Sequence, residues 1–175
     1  MCRHFKGVVI VTTIIFAISC SAWGFNHRTS QGSIKIEFMA SDVSWVEQEY
    51  VGHAFMCISI PLNSGIKEDC FGFYPRSNSP LAFIGGPGVT VSEFEKKPSR
   101  FSRITLSIKK PITEDQRRAI LKLVNDWNSG NYNLRNQSCI DLVDSAARTL
   151  GWTTPPRVAS DLPERYLKKL SDANP

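Results

Sequence analysis

Two stretches of β-forming residues, each with one cysteine, constrain the fold of this chain more than any other feature. Residues 50–60 are rich in β-branched and aromatic side chains, residues 61–65 are typical of a loop, and residues 70–74 are typical of a returning strand. Cys57 and Cys70 then face each other across an antiparallel hairpin, where the separation of Cβ atoms suits a disulfide. We therefore predict a Cys57–Cys70 bond.

The N-terminus has the three parts of a secretory signal peptide. Residues 1–6 are basic, residues 7–19 are almost entirely apolar, and small residues follow. The apolar run is shorter than the roughly 20 residues that a membrane-spanning helix needs. We predict a signal peptide over residues 1–24 and a single mature domain over residues 25–175, located in the periplasm or secreted.

A lipid anchor is the alternative to a cleaved and released chain. Residues 17–20 loosely resemble a lipobox, which would place the lipid on Cys20. Only in that case do we expect the protein to contact a membrane.

Export leaves an odd number of cysteines in an oxidising compartment. The mature chain retains Cys57, Cys70 and Cys139. If the first two are paired, the thiol of Cys139 is left over.

The rest of the chain predicts an α+β domain with a single core. The length of 175 residues and the hydrophobic content of 42% fit one domain. Alternating apolar residues predict strands, and a period of 3.6 residues with capping residues predicts helices. These elements are strands over 33–38 and 101–108, a loop over 79–90, and helices over 113–127, 138–150 and 162–170. The order predicts an antiparallel sheet packed against a cysteine-bearing helix.

Cys139 and His53 are the candidate reactive residues. Ser138 is the predicted N-cap, so Cys139 lies in the first turn of a helix, where the helix dipole and free N–H groups favour a thiolate. His53 lies in a strand beside Gly52, which leaves room for another group to approach. The sequence therefore predicts a Cys–His pair, and the alternative is a buried inert thiol with a core histidine.

Four short motifs resemble one family of enzymes. They are Gly52-His53-Ala54-Phe55, Gly72-Phe73-Tyr74-Pro75, Tyr132-Asn133-Leu134 and the run Ser138 to Val143. In their order they are similar to circularly permuted papain-like cysteine hydrolases, a group that includes lecithin:retinol acyltransferase-like proteins and bacterial cell-wall cysteine peptidases. The resemblance covers residues 50–151 and implies a permuted papain-like fold, with Cys139 as nucleophile and His53 as general base.

The third residue of such a site is left open by the sequence. The family places a polar residue where it can orient the histidine ring, and the register of the predicted hairpin puts Tyr74 opposite His53. Asn78 is the alternative if the register shifts. The family also commonly has Asn directly before the cysteine, whereas this chain has Ser138 there and Asn136 further upstream.

The predicted function is that of an exported thiol hydrolase without a cofactor. The substrate that we expect is an amide in cell-wall peptide, and an acyl ester or lipid amide comes next. The alternative is a non-catalytic envelope binding module on the same fold. We expect a monomer.

Other functions have weaker signals. The 21 Lys and Arg residues are dispersed among 16 Asp and Glu residues, which argues against nucleic-acid binding. Cysteine and histidine do not have the spacing of metal ligands, so we expect no metal. Glu47 and Glu49 could form a carboxylate pair for glycoside cleavage, or simply a solvated strand edge.

Overall fold

A computed structural model describes residues 32–44 and 51–175 of the chain. Within them six strands form one antiparallel sheet in the order β5-β1-β2-β3-β4-β6. The strands are β1 (Lys35–Ser41), β2 (His53–Leu62), β3 (Gly65–Pro75), β4 (Gly86–Ser92), β5 (Ile104–Pro111) and β6 (Asn131–Tyr132). The helices are α1 (Glu93–Lys96), α2 (Glu114–Trp127), α3 (Cys139–Thr149) and α4 (Pro163–Asp172). The α+β class is therefore confirmed.

The predicted hairpin is present with the predicted register. β2 and β3 pair antiparallel, with Cys57 opposite Cys70 and Phe55 opposite Gly72. The two cysteines form a disulfide. Both strands extend further toward the turn than we predict, and Gly65 adopts a φ of 138° where the chain reverses. A glycine is suited to that position because it lacks a Cβ.

The long helices cover one face of the sheet. Alternate residues of the central strands, such as Phe38 and Met56, contribute to the main core together with residues of α2, α3 and α4. Phe55 and the disulfide lie in a smaller cluster, and Phe101 packs against it. This arrangement follows from the two-residue period of a strand, which sends successive side chains to opposite faces.

The helices agree with the sequence pattern at their beginnings. α2 begins with a capping box in which Thr113 and Gln116 exchange hydrogen bonds, and its buried residues include Ile120 and Val124. α3 begins directly after Ser138, as predicted.

Two predicted elements differ. The predicted loop 79–90 contains most of β4, because Gly88 to Ser92 pair with the second half of β3, and Gly86 and Pro87 pair with β6. The predicted strand 101–108 begins only at Ile104, because a 3₁₀ helix, Pro98–Arg103, precedes it. In both places tertiary pairing overrides the local signal of glycine, proline or alternation.

Several sequence predictions lie outside the described residues. These are the signal peptide over 1–24, the alternative anchor at Cys20, and the pair Glu47 and Glu49. No helix in residues 32–44 and 51–175 is long and apolar enough to cross a membrane.

Candidate active site

His53 is the first residue of β2, and the residue before it requires glycine. Gly52 has a φ of 70°, and a Cβ there would lie 2.6 Å from the backbone oxygen of Ser41. Left-handed backbone and this close approach both favour glycine. Gly52 thereby allows the start of β2 to pack closely against the end of β1, and this determines the position of His53.

Cys139 is the first residue of α3, and the segment before it is held by polar contacts. The Asp141 carboxylate accepts hydrogen bonds from the Ser138 backbone N–H at 2.7 Å and from its hydroxyl at 2.8 Å. Arg157 lies 3.0 Å from Asp141 and donates to the Leu134 carbonyl at 2.9 Å. These contacts fix the start of the helix and therefore the position of the thiol.

The Cys139 thiol and the His53 ring lie close enough for each to shift the pKa of the other, although 86 positions separate them in the sequence. The backbone N–H of Ala54 also lowers the pKa of the thiol. The fold therefore brings together the two residues that the sequence singled out.

A glutamate that the sequence analysis did not identify meets the other side of the ring. Glu93, the first residue of α1, places Oε1 3.0 Å from His53 Nε2. Since Nε2 is engaged there, Nδ1 is the ring nitrogen left for the thiol. Cys139, His53 and Glu93 form a chain of contacts in which a carboxylate orients an imidazole and the imidazole meets a thiol.

Tyr74 lies beside His53, but it does not play the role that we predict. The two rings stack with centroids 4.5 Å apart, and the Tyr74 hydroxyl donates to Glu93 at 2.7 and 2.8 Å rather than to the imidazole. The prediction that Tyr74 orients the ring directly is therefore wrong, because Glu93 occupies the position beside the ring nitrogen. Asn78 is exposed beyond the end of β3, so the alternative register is wrong as well.

Gly72 provides the space in which His53 and Glu93 meet. A Cβ on Gly72 would lie 1.7 Å from Glu93 Oε1 and 2.6 Å from His53 Nε2, far inside van der Waals contact. The sequence resemblance includes this glycine. In the structure, its lack of a side chain lets the Glu93 carboxylate contact the His53 imidazole.

The charges of the site favour a thiolate and an imidazolium. Burial alone lowers the pKa of His53, but the charges of Cys139 and Glu93 and the hydrogen bonds to both raise it to about 9. Burial alone raises the pKa of Cys139, but the charge and hydrogen bond of His53 and the Ala54 N–H lower it below its ordinary value. Burial likewise opposes ionisation of Glu93, yet His53, Arg100 and Tyr74 together lower its pKa. These interactions shift both members of the pair toward their ionised forms.

The pair is almost completely covered in the described part of the chain. Cys139 is 4% exposed and His53 is 5% exposed, so neither side chain borders a cleft open to solvent. The aromatic rings of Phe55 and Tyr74 stack near the imidazole and account for part of this cover. A carbonyl carbon can reach the sulfur only when neighbouring side chains move apart.

No protein-family model matches the sequence, and comparisons with curated proteins and with solved structures find no significant similarity. The likeness to permuted papain-like hydrolases therefore stays a prediction that depends on the residues and on the geometry of the site.

The state of the three cysteines in residues 25–175 gives a first prediction. In protein purified from an oxidising compartment, Cys57 and Cys70 should be linked and Cys139 should be a free thiol, as their positions in the fold require. Peptide mapping by mass spectrometry without reduction checks this. A disulfide that includes Cys139 would exclude it as a nucleophile, because a bonded sulfur cannot attack a carbonyl.

Proposed function

We propose that this protein is an exported thiol hydrolase of the circularly permuted papain-like type. The observation that carries the proposal is the Cys139 thiol at the start of α3, beside a His53 ring that Glu93 contacts at Nε2. A nucleophile, a base and a residue that orients the base are the parts that covalent acyl transfer needs.

In the proposed reaction the Cys139 sulfur attacks the carbonyl carbon of an amide or ester. A C–S bond forms, and the carbonyl π electrons move to oxygen. The negative oxygen then accepts hydrogen bonds from backbone N–H groups at the N-terminus of α3. His53, protonated in the resting pair, is the acid that gives its proton to the leaving nitrogen or oxygen as the C–N or C–O bond breaks.

The second half of the reaction releases the acyl group. His53 is now neutral and takes a proton from a water molecule, whose oxygen attacks the thioester carbon. The C–S bond breaks, a carboxylic acid leaves, and the thiolate–imidazolium pair is restored. Glu93 touches neither the sulfur nor the substrate in this scheme, so it is a positioning residue that acts through His53.

The proposed substrate is an amide of cell-wall peptide, with acyl esters and lipid amides second. This choice rests on the predicted signal peptide and on the resemblance to cell-wall peptidases and acyltransferase-like proteins. The Cys57–Cys70 disulfide is compatible with an oxidising compartment.

A non-catalytic binding module is the second candidate, and the burial of the pair favours it. With Cys139 and His53 at 4% and 5% exposure, the described structure offers a substrate little access to the sulfur. In that case the buried polar group would only stabilise the fold.

A comparison of the wild type with Cys139→Ala tests the two candidates. Each protein is incubated with purified peptidoglycan and with p-nitrophenyl acetate, an activated ester, and new amines or p-nitrophenol are measured. We expect the wild type to release product and to carry a transient acyl group on Cys139, and the variant to do neither. Equal rates for the two proteins on both substrates would favour the binding module.

A further inference from the structure

Glu93 forms a buried ion pair with Arg100. The reaction scheme does not use Arg100, so this pair needs a separate explanation. The side chains of Glu93 and Arg100 are both 0% exposed, and the Arg100 guanidinium contacts Glu93 Oε2. The same guanidinium contacts the Tyr74 hydroxyl and lies 5.4 Å from the centre of the Tyr74 ring. Arg100 comes from the 3₁₀ helix Pro98–Arg103, which reaches this point from the segment after α1.

A buried arginine destabilises the fold unless nearby negative charges balance it. Here the balance includes the charges of Glu93, Cys139 and His53. Taking an ion out of water is unfavourable even after the protein relaxes around it. Glu93 carries one negative charge, and the ionised pair of Cys139 and His53 carries one of each sign. Arg100 brings the charges of these four residues to zero, and Asp141, whose charge opposes ionisation of Cys139, is paired with Arg157.

Without Arg100 the same buried group would carry one net negative charge. The group would then bind one more proton more readily, because burial favours a state without net charge. The Cys139 thiolate is a member of that group, so the added proton opposes its ionisation. A charge that never touches the sulfur can therefore decide whether the sulfur is ionised.

We propose that Arg100 is a positioning residue that supplies the fixed counter-charge of the buried Cys139–His53–Glu93 group and thereby keeps the pair as thiolate and imidazolium. This inference rests on the proposed function, since it explains how the nucleophile is kept ready. It assigns to Arg100 an electrostatic role that reaches the sulfur through Glu93 and His53.

The test measures the pH at which Cys139 loses its proton in variants of Arg100. The rate of alkylation of Cys139 by iodoacetamide is followed from pH 4 to pH 10, and the midpoint of the profile is compared. Arg100→Gln should raise the midpoint by about one pH unit, the shift expected for a unit charge several ångströms away in a partly shielded site. Arg100→Lys, which keeps the charge, should shift it less.

Arg103→Gln is the matched control. Arg103 ends the same 3₁₀ helix, but its guanidinium donates to the backbone oxygen of Asp42 at 2.9 Å. We expect this variant to keep the wild-type midpoint. An Arg100→Gln midpoint that equals the wild-type one, or an Arg100→Lys shift as large as that of Arg100→Gln, would overturn the proposal.

A double variant separates charge balance from mere support of the fold. Glu93→Gln with Arg100→Gln removes one charge of each sign, so the remaining pair is neutral again. We expect its midpoint to return toward the wild-type value. A midpoint at or above that of Arg100→Gln would mean that Arg100 only supports the fold, which contradicts the proposal. The double variant also buries no unpaired charge, so it offers a test if Arg100→Gln fails to fold.

One further measurement keeps this inference separate from the proposed function. In Cys139→Ser protein, which has no nucleophilic thiol, NMR titration of the His53 ring should show a higher pKa with Arg100→Gln than without it, since a nearby positive charge has been removed. A shift there supports the counter-charge even if wild-type Cys139 proves unreactive. No shift overturns it even if the protein is a hydrolase.

Discussion

Replacing Gly72 with alanine should lower the turnover of an activated ester at least a hundredfold while the Cys57–Cys70 disulfide still forms. The new Cβ would lie 1.7 Å from Glu93 Oε1 and 2.6 Å from His53 Nε2, so the carboxylate and the imidazole cannot keep their contact. The size of the effect follows from general acid–base catalysis, which contributes roughly 10² to 10⁴ in rate when it is aligned.

The rate of p-nitrophenyl acetate hydrolysis measures this effect, and Gly85→Ala is its control. Gly85 is exposed, and a Cβ there meets nothing within 4 Å. We expect Gly85→Ala to match the wild type in rate and in thermal stability. If Gly72→Ala kept more than half of the wild-type rate, the contact between His53 and Glu93 would not matter for turnover.

Replacing His53 with alanine should reduce turnover by roughly 10² to 10⁴ and should also change the ionisation of the thiol. In the proposed reaction His53 is the acid for the leaving group, and its charge is the main factor that lowers the pKa of Cys139. Without it burial dominates, and the pKa of the thiol should rise to or above the ordinary value of about 8.5.

Turnover of the same ester by His53→Ala and by Cys139→Ala measures the contribution of the base. Cys139→Ala gives the baseline without a nucleophile, and His53→Ala should lie close to it. Turnover within threefold of the wild type in His53→Ala would show that another group removes and returns the proton.

The basic limb of the pH profile follows from the raised pKa of His53. The folded pKa of about 9 means that the imidazolium persists through neutral pH and is lost as the pH rises through 9. Turnover, which needs the proton of His53, should therefore fall above pH 9, whereas alkylation, which needs only the thiolate, should not.

The sequence predicted the parts of the site that depend on local pattern. A strand with a histidine beside glycine, a hairpin with facing cysteines and a capped helix with a leading cysteine are each visible within about twenty residues. The β2–β3 register follows from one disulfide and determines that Tyr74 lies near His53.

Glu93 and Arg100 could not be found in this way. Glu93 lies in a charged stretch beside Glu95, and nothing local distinguishes the fully buried residue from its neighbour. Their role arises because β4, which the glycine-rich sequence conceals, carries α1 back over Gly72. Such long-range packing has no local signal, so the interpretation of Tyr74 as the orienting residue was wrong although its position was right.

The burial of Cys139 and His53 could not be predicted from the sequence either. Helix position predicts a low thiol pKa but not how many side chains cover the sulfur. The stacking of His53 on Tyr74 and the edge-to-face contact of Phe55 with Phe101 depend on three separate segments of the chain.

The central claim is that folded wild-type protein holds Cys139 as a thiolate, and the pH profile of its alkylation by iodoacetamide tests this most directly. The account predicts a midpoint below that of an ordinary thiol, about pH 8.5, and a His53→Ala midpoint that rises to this value or higher. A wild-type rate that rises about tenfold per pH unit between pH 6 and pH 8, with no change on His53→Ala, would contradict it.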